Sequence, residues 1–412
     1  MTGQSVREVV IEEIGHRGDG IGEGIFIPGT VPGDRVRVSI FCGHGRVLEL
    51  VEPGAGRAEP VCPHYSLCGG CALQHIDEAT YRLWKTDQVK HALASRGFTD
   101  LPLETMIAIP PGTRRRVSLG TRMNGGERVL GFRERSSNRI VHVEECPVAR
   151  PEIVAALQGL KVLMAAGLSE GGAAEVQVTV TEAGLDVAVW PQGGGALEPW
   201  RREALANEAM MLSLARFTWG GEVVAERSRP FVLMSGVRVE PPPGAFLQPS
   251  SEGEAALARL VTRAVGDAGK TADLFAGCGT FTFALARRVP VHAVEADGEQ
   301  LAALEAAARS EQGLKPITVE RRDLTRRQLV VSELKLYKAA VLNPPRTGAR
   351  VQIAEVARAD LAKVVIVSCN PATFARDART LVDGGYTFEQ LTPVDQFVWS
   401  ADIELVGVFS KR

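Results

Sequence analysis

The sequence predicts an α/β protein in which a doubly wound, Rossmann-like C-terminal domain follows a small all-β barrel and a mixed α+β central domain. Three observations predict this order. Short alternating apolar stretches, broken by Gly and Pro, fill residues 1–55 and are typical of a small barrel. Residues 60–240 combine helical and strand patterns. Across residues 241–412 strands alternate with helix-forming stretches, which predicts a parallel sheet covered by helices.

The composition is that of an ordinary soluble globular protein. The chain has 412 residues, of which 45% are hydrophobic and 23% charged, and its net charge is −2. The N-terminal "MTGQSVREVV" lacks the basic start and apolar stretch of a signal peptide, and no apolar run reaches the length of a membrane span. We therefore expect a cytoplasmic protein that does not act at a membrane.

The first two regions contain recognisable local elements. In the first, "VREVVIEEI", "GIFIPG" and "DRVRVSIF" predict the strands of the barrel, and "PGAGRAEP" (53–60) predicts a linker. In the second, "YRLWKTDQVKHALASRG" predicts a helix, while "RVLGFRER" and "AEVQVTV" predict strands.

A basic stripe lies in the central region between residues 111 and 140. Only Glu127 and Glu134 balance its eight arginines, which are Arg114, Arg115, Arg116, Arg122, Arg128, Arg133, Arg135 and Arg139. Such a stripe either follows the phosphates of a nucleic acid or forms a solvated face, and charge alone leaves both possible.

Four of the seven cysteines have the spacing of a metal site. "CPHYSLCGGC" contains Cys62, Cys68 and Cys71, and "EECPVAR" adds Cys146. Four thiolates suit zinc or a [4Fe–4S] cluster, and the spacing leaves both possible. The radical S-adenosylmethionine enzymes use C-x3-C-x2-C, which differs from the C-x5-C-x2-C found here. A disulfide framework is excluded because the cysteines are odd in number and sparse.

The C-terminal region begins with a candidate cofactor site. "DLFAGCGTFTFALA" predicts a strand, a glycine turn and a helix whose first amides can approach a ligand closely. Glu295 ends the next strand, "VHAVEAD", where a carboxylate can hold a ribose diol. "PITVERRD" ends at Asp323, and "AAVLNPP" runs into "NPPR" (343–346). This layout is that of the class I S-adenosylmethionine methyltransferases; a dinucleotide enzyme is the first rival.

The fifth strand, "VVIVSCNPAT" (364–373), ends at a cysteine that is followed by Asn370 and Pro371. Cys369 could be a packed thiol before a turn, or a nucleophile presented by the strand. Because the strand belongs to the sheet whose other carboxyl ends form the cofactor site, we expect Cys369 to face the methyl donor. The Asn-Pro pair then predicts a rigid turn that fixes the direction of the thiol.

Together these motifs resemble the bacterial RNA uracil-5-methyltransferases, in particular the branch that methylates 23S ribosomal RNA and carries an iron–sulfur cluster. Residues 1–55 resemble a TRAM domain, an RNA-binding barrel. The cysteine motifs resemble the family's [4Fe–4S] signature, and "RRRVSLG" with "LGFRERSSNRIVHVEECPVA" resembles its RNA-facing segment. "FLQPS", "DLFAGCGTFTFALA", "VEAD" and "NPPR" fall where the family binds S-adenosyl-L-methionine.

The resemblance assigns a role to each matching residue. It implies a nucleophile, Cys369, which adds to C6 of uracil, and a general base, Glu404, which removes the C5 proton. The implied cluster ligands are Cys62, Cys68, Cys71 and Cys146, and the implied cofactor contacts are Gln248, Phe275, Thr280, Glu295, Asp323 and Asn343. The implied substrate is an unstacked uridine in a loop of RNA, with 23S rRNA as the first choice, and the implied state is a monomer.

Three sites depart from the family pattern, and the first is "FLQPS", which replaces a more usual Gln-Val-Asn and leaves Gln248 as the matching residue. Asn343 stands where the family usually has Asp, and Asp402 stands where it usually has His. The alternatives are the same chemistry on transfer RNA, and a non-catalytic RNA-binding factor with a degenerate methyltransferase fold. Amino-group methylation leaves Cys369 without a role, cytosine methylation in DNA places its cysteine elsewhere, and an iron–sulfur electron carrier lacks a partner signature.

Overall fold

The computed structural model describes residues 5–124, 126–194 and 197–411. Within these ranges the chain forms three large sheets and one two-stranded hairpin. None of the helices in the described ranges combines the length and apolar character that a membrane crossing requires.

The first region is a six-stranded sheet. Its strands are β1 (Ser5–Val10), β2 (Glu13–Ile14), β3 (Gly20–Gly22), β4 (Ile25–Ile27), β5 (Arg35–Phe41) and β6 (His44–Glu52). The order across the sheet is β1-β5-β6-β4-β3-β2. Alternating apolar residues of β1, β4 and β5 point into a small core, as the period-two pattern predicts.

The second region contains a mostly antiparallel sheet with two of the region's three helices packed on one face. Its elements are α1 (Glu78–Ala94), β7 (Ile107–Ala108), β8 (Arg116–Asn124), β9 (Glu127–Arg133), β10 (Ile140–His142), α2 (Pro151–Gly167), β11 (Ala173–Thr181), β12 (Gly184–Pro191), α3 (Pro199–Met211), β13 (Arg216–Trp219), β14 (Glu222–Glu226), β15 (Val232–Met234) and β16 (Val237–Val239). Seven strands form the sheet, in the order β10-β9-β8-β11-β12-β13-β14. The strands and α2 share one apolar core, while β15 and β16 form a separate hairpin.

The third region is the doubly wound sheet. Its elements are α4 (Ser251–Val265), β17 (Thr271–Leu274), α5 (Thr280–Ala286), β18 (Val291–Glu295), α6 (Gly298–Ser310), β19 (Ile317–Arg321), α7 (Val331–Leu334), β20 (Ala339–Leu342), α8 (Arg350–Ala357), β21 (Lys363–Ser368), α9 (Pro371–Asp383), β22 (Thr387–Asp395) and β23 (Glu404–Ser410). The order is β19-β18-β17-β20-β21-β23-β22-β7. The five predicted strands pair in parallel, which confirms the sequence interpretation of this region.

Two elements from earlier in the chain join this third sheet. Strand β7 pairs with β22 at its edge, and α1 packs against α9. Val89 and Leu93 of α1 lie fully buried in the same core as the residues of β17 and β20. The segment 78–108 therefore shares its core with the C-terminal sheet rather than with the seven-stranded one.

The last strand runs against the others. β23 is antiparallel to both β21 and β22, and Ser368 is paired with Leu405. The beginning of β23 therefore meets the end of β21 at the edge where the parallel strands also end. This geometry brings residues 369 and 404, which are distant in sequence, to the same place.

Candidate active site

Cys369 lies between the end of β21 and the start of α9. Asn370 caps α9, because its Oδ1 accepts hydrogen bonds from the main-chain N–H groups of Ala372 (3.0 Å) and Thr373 (3.4 Å). Pro371 occupies the first helical position, where the absent N–H has no cost. The Asn370 Nδ2 donates to the carbonyl of Arg346 (3.2 Å). The Asn-Pro pair thus fixes the backbone on the C-terminal side of the thiol.

Glu404 is the first residue of β23 and is almost completely buried, with 3% of its surface exposed. Its Oε2 accepts a hydrogen bond from Nε2 of Gln396 at 2.9 Å. Burial raises the pKa of Glu404 to about 7, although the Gln396 hydrogen bond acts in the opposite direction. The carboxyl group is therefore poised to exchange a proton near neutral pH.

An ion pair stands beside these two groups. The guanidinium of Arg346 binds both carboxylate oxygens of Asp402, at 3.0 and 2.6 Å. Burial, followed by the charge of Glu404, raises the pKa of Cys369 to about 11, and Arg346 opposes this shift. The thiol is thus neutral at pH 7 in the free protein, and Arg346 is the nearby cation that favours its ionised form.

Gln248 belongs to the same group of contacts. Its side chain is buried, and its Oε1 accepts a hydrogen bond from the Gln396 amide that also binds Glu404 (2.9 Å). Its main-chain carbonyl accepts from Nε of Arg115 (3.1 Å), whose guanidinium forms a buried ion pair with Glu254 (2.6 Å). Gln248 therefore reaches the environment of the candidate base through a single intervening side chain.

The glycine turn after β17 lies at the same edge of the sheet. Phe275, Gly277 and Gly279 all have positive φ angles, of 63°, 56° and 103°, and Thr280 begins α5. Phe275 is not glycine, so its left-handed backbone is held by the fold around it. The turn is anchored from β18, because Oε2 of Glu295 accepts a hydrogen bond from the N–H of Gly277 (2.9 Å).

The arrangement of Glu295 fits a ligand with a diol. Its other oxygen accepts from the N–H groups of Ala296 (2.7 Å) and Asp297 (2.9 Å), so the carboxylate is held rigidly over the glycine turn. Each carboxylate oxygen has lone pairs beyond those bonds and can still accept from hydroxyl groups. The residues present therefore suit the ribose of S-adenosylmethionine.

The two remaining candidate contacts follow β19 and β20, two strands of the same parallel sheet. Asp323 follows β19, and its Oδ1 accepts hydrogen bonds from the main-chain N–H and the hydroxyl of Thr325, at 2.9 and 2.6 Å. These bonds lower the pKa of Asp323 and hold it within its own turn. Asn343 follows β20, and its N–H donates to the carbonyl of Leu274 in β17 (3.2 Å).

The four cysteines of the predicted metal site line one cavity of about 440 Å³, which is also lined by Arg114, Arg346 and Asp402. The thiols in question are Cys62, Cys68, Cys71 and Cys146. Burial raises the pKa values of the first three, that of Cys71 to about 12. Within the described ranges, no group of three or more His, Cys, Asp or Glu side chains is arranged to hold a single metal ion.

Comparison with known proteins identifies the family. Residues 237–412 match the family model described as tRNA (uracil-5-)-methyltransferase. An RNA methyltransferase of Brucella melitensis is 42% identical across 100% of this chain and 99% of its own length. One of Caulobacter vibrioides is 43% identical across 98% and 100%. The chain belongs to the RNA (uracil-5-)-methyltransferase family. As a member, the protein is an S-adenosylmethionine-dependent methyltransferase of RNA uracil C5.

Two further proteins match almost the full length of this chain. The 23S rRNA (uracil(1939)-C(5))-methyltransferase RlmD of Tolumonas auensis is 28% identical across 98% of this chain and 96% of its own. The crystal structure of a Pyrococcus abyssi tRNA (uracil-54, C5)-methyltransferase with S-adenosyl-L-homocysteine superposes with a TM-score of 0.74, at 22% identity, over 98% of this chain and 100% of that one. This match confirms the predicted fold, a class I domain that follows β-rich regions.

Sequence patterns did not reveal three features of the methyltransferase site. Gln396 belongs to no recognisable motif. Asp402 departs from the family pattern and Arg346 ends "NPPR", but nothing local predicts that the two residues pair. Lys85 of α1, described below, carries no sequence signal, because its partners lie more than 300 residues away.

Proposed function

We propose that this uracil-C5 methyltransferase modifies a uridine of 23S rRNA through a covalent intermediate, with Cys369 as the nucleophile and Glu404 as the base. The observation that carries the proposal is the antiparallel pairing of β21 and β23. It sets a thiol and a buried carboxyl group side by side at the edge where the cofactor turn also lies.

The chemistry requires both groups. Uracil C5 is a weak nucleophile, and addition of the Cys369 sulfur to C6 moves electrons onto C5 and O4. Bound S-adenosylmethionine would supply the methyl group as an electrophile to C5, and S-adenosylhomocysteine would be the leaving group. Glu404 then removes the proton from C5, and the electrons of the C–H bond restore the C5–C6 double bond as the sulfur leaves C6 as thiolate.

The electrostatics of the site agree with these roles. A base with a pKa of about 7 is half ionised at neutral pH and strong enough to accept a proton. The raised pKa of Cys369 means that the thiolate must form when substrate binds, since little of it exists beforehand. Arg346 is placed to stabilise that thiolate, and its bond to Asp402 sets its position.

The choice of 23S rRNA rests on the relative from Tolumonas auensis, which matches almost the full length of the chain. The target base must be unstacked to reach Cys369, which costs a few kcal/mol and favours a loop over a regular duplex.

The basic stripe supports RNA binding through only some of its arginines. Arg115, Arg135 and Arg139 are paired with carboxylates. Arg122 and Arg133 are exposed, and their guanidinium groups have no hydrogen-bond or ion-pair partner among the described residues. Both line a cavity of about 460 Å³ with no acidic residue in its lining. We propose that these two arginines contact RNA phosphates.

We propose further that the four-cysteine cavity holds a [4Fe–4S] cluster. The donor set of four thiols suits such a cluster, and the cavity has room for a group larger than one ion. Iron and sulfide analysis of anaerobically purified protein should give about four of each per chain. Cys68→Ser should lose the iron and Cys42→Ser, at an exposed cysteine, should keep it; zinc in place of iron would refute the cluster.

The proposed substrate is tested with unmodified 23S rRNA and unmodified transfer RNA, transcribed in vitro and incubated separately with labelled cofactor. Mass spectrometry of nuclease fragments should locate 5-methyluridine at one position of the 23S rRNA. Methylation of the transfer RNA alone would overturn the choice of substrate, and absence of 5-methyluridine from both would overturn the proposed function.

A further inference from the structure

Lys85 is a fully buried lysine in the middle of α1, with none of its surface exposed. Its ammonium group forms an ion pair with Oδ1 of Asp395 (2.8 Å) and donates to the main-chain carbonyls of Phe397 (3.4 Å) and Asp402. Because a buried charge is costly unless it is fully bonded, these acceptors are the reason that a lysine can occupy this position.

The three acceptors lie along one loop, the connection between β22 and β23. Asp395 ends β22, Phe397 lies just before the turn at residues 398–399, and Asp402 lies just before β23. One ammonium group therefore ties the beginning of the loop to its end. An apolar side chain of similar size could fill the space, but it could not make these bonds.

The tied loop carries the side chains that surround the reaction. Gln396 donates to Glu404, and Asp402 holds Arg346 in a bidentate ion pair. The charged groups that face Cys369 are Glu404, Asp402 and Arg346. Asp402 lies in this loop, Glu404 begins the strand that follows it, and Arg346 is bound by Asp402.

The loop makes further hydrogen bonds, to α1 and to the segment around the cysteines. The hydroxyl of Tyr81 donates to Oδ2 of Asp395 (2.6 Å) and accepts from the N–H of Trp399 (3.0 Å). The N–H groups of Ala72 and Leu73, next to the cysteine segment, donate to the Trp399 carbonyl. Trp399 has a φ of 56°, a strained conformation for a non-glycine residue, which persists only where surrounding contacts impose it.

We propose that Lys85 is a positioning residue of the active site, which fixes the 396–403 loop so that Asp402, Arg346 and Glu404 are aligned on Cys369. The proposal rests on the proposed function, since it gives Lys85 a part in that reaction without contact with RNA or cofactor. Lys85 acts from α1, an element that precedes the catalytic sheet in sequence and shares its core.

The test separates positioning from folding by removing first the lysine alone and then both charges of the ion pair. Lys85→Met leaves the Asp395 carboxylate buried and unpaired, so its melting temperature should fall. The double variant Lys85→Met/Asp395→Asn removes both charges, and its melting temperature should recover most of that loss. In the double variant kcat on RNA should stay at least about tenfold low, with KM for RNA changed less than about twofold.

A second readout needs no RNA. The rate at which iodoacetamide alkylates Cys369, followed by the mass of its peptide, rises with pH as the thiolate forms. Glu404 and Asp402 raise the pKa of Cys369, whereas Arg346, which Asp402 holds, lowers it. Loosening the loop changes the distance of all three groups from the thiol and should therefore displace this profile along the pH axis in the double variant. Asp77→Ala is the matched control, because it removes the N-cap of the same helix, where Oδ1 of Asp77 accepts a hydrogen bond from the N–H of Thr80 (2.8 Å). It should lower the melting temperature and leave the profile unchanged.

A folded double variant with wild-type kcat and a wild-type alkylation profile would overturn the proposal and leave Lys85 as a core residue only. If the double variant does not fold, Lys85→Arg decides: it keeps the ion pair but displaces the donors, and unchanged kcat and profile would overturn the proposal in the same way. Wild-type protein that is inactive on RNA would instead refute the proposed function, while the alkylation profile would still test the positioning.

Discussion

Ser368 and Leu405 are paired on two antiparallel strands, β21 and β23, at the carboxyl edge of the catalytic sheet. The residues next to them, Cys369 and Glu404, therefore meet although they lie far apart in sequence. Glu404 is close enough that its charge raises the pKa of the thiol. A parallel final strand would begin at the opposite edge, so the reversal of β23 is what creates the catalytic pair.

Replacement of the nucleophile should abolish methylation. Cys369→Ala removes the only sulfur proposed to add to C6, and the rate of 5-methyluridine formation should fall by at least about a thousandfold. Cys42→Ala, at an exposed cysteine between β5 and β6, is the matched control and should keep the wild-type rate at saturating RNA. Measurable turnover by Cys369→Ala would rule out covalent catalysis by this residue.

The stability of Glu404→Gln should depend on pH in a defined direction. In the folded protein Glu404 keeps its proton up to about pH 7, whereas its ordinary pKa is 4.5. As pH rises, Glu404 therefore ionises in the unfolded chain at a lower pH than in the folded protein. The stability that the protonated Glu404 contributes is lost between about pH 4.5 and pH 7. The glutamine variant cannot ionise, so relative to wild type it should gain up to about 3 kcal/mol of unfolding free energy across this range.

Urea unfolding at pH 5.5 and pH 8 should show about 2 kcal/mol of this gain, because the remainder develops below pH 5.5. Glu389→Gln is the control, since hydrogen bonds from Lys363 and Ser410 lower the pKa of Glu389 and keep it ionised at both pH values. Its stability relative to wild type should be the same at the two pH values. A pH-independent difference for Glu404→Gln would show that Glu404 is already ionised at pH 5.5.

Cofactor affinity should depend on Glu295. Both oxygens of the Glu295 carboxylate accept hydrogen bonds from main-chain N–H groups. In Glu295→Gln an NH2 group replaces one of these oxygens, so a donor faces a donor. The replacement also removes an acceptor for the ribose hydroxyls. The dissociation constant for S-adenosylmethionine, measured by calorimetry, should rise by about tenfold or more. Glu299→Gln, on the exposed first turn of α6, should bind as wild type does. Equal affinities of the two variants for S-adenosylmethionine would show that Glu295 does not bind the ribose.

RNA binding should lose part of its salt dependence when Arg122 and Arg133 are replaced together by glutamine. Each lost phosphate contact lowers the slope of log K against log salt by about 0.7 to 0.9, so the double variant should show a reduction of about 1.4 to 1.8. Arg259→Gln/Arg263→Gln removes two exposed charges from α4 and serves as the control. Equal slopes in both double variants would show that the cavity at β8 and β9 does not contact phosphates.

Local patterns predicted the strands of the catalytic sheet but not their full arrangement. The five parallel strands and the glycine turn follow from periodicity and turn residues, which act over a few neighbours. The reversed β23, the addition of β7 to the edge and the burial of α1 in this core depend on contacts between distant segments. No local pattern encodes such contacts.

The same limit applies to the candidate site. Cys369 could be proposed from a short motif, because a strand end, a thiol and an Asn-Pro turn are contiguous in the chain. The hydrogen bond of Gln396 to Glu404 and the pairing of Arg346 with Asp402 could not, because each depends on how separate loops pack. In the basic stripe some arginines have carboxylate partners and others do not. The composition of the stripe does not predict which arginines are paired.

The most direct measurement is the covalent state of Glu404→Gln after incubation with RNA and S-adenosylmethionine. If Glu404 removes the C5 proton, the variant should add Cys369 to uracil and transfer the methyl group, but fail to release the product. A protein–RNA adduct should then accumulate on a denaturing gel, with the methylated nucleotide attached to Cys369 by mass spectrometry. Normal turnover without an adduct, or an adduct at another cysteine, would contradict the roles assigned to Cys369 and Glu404.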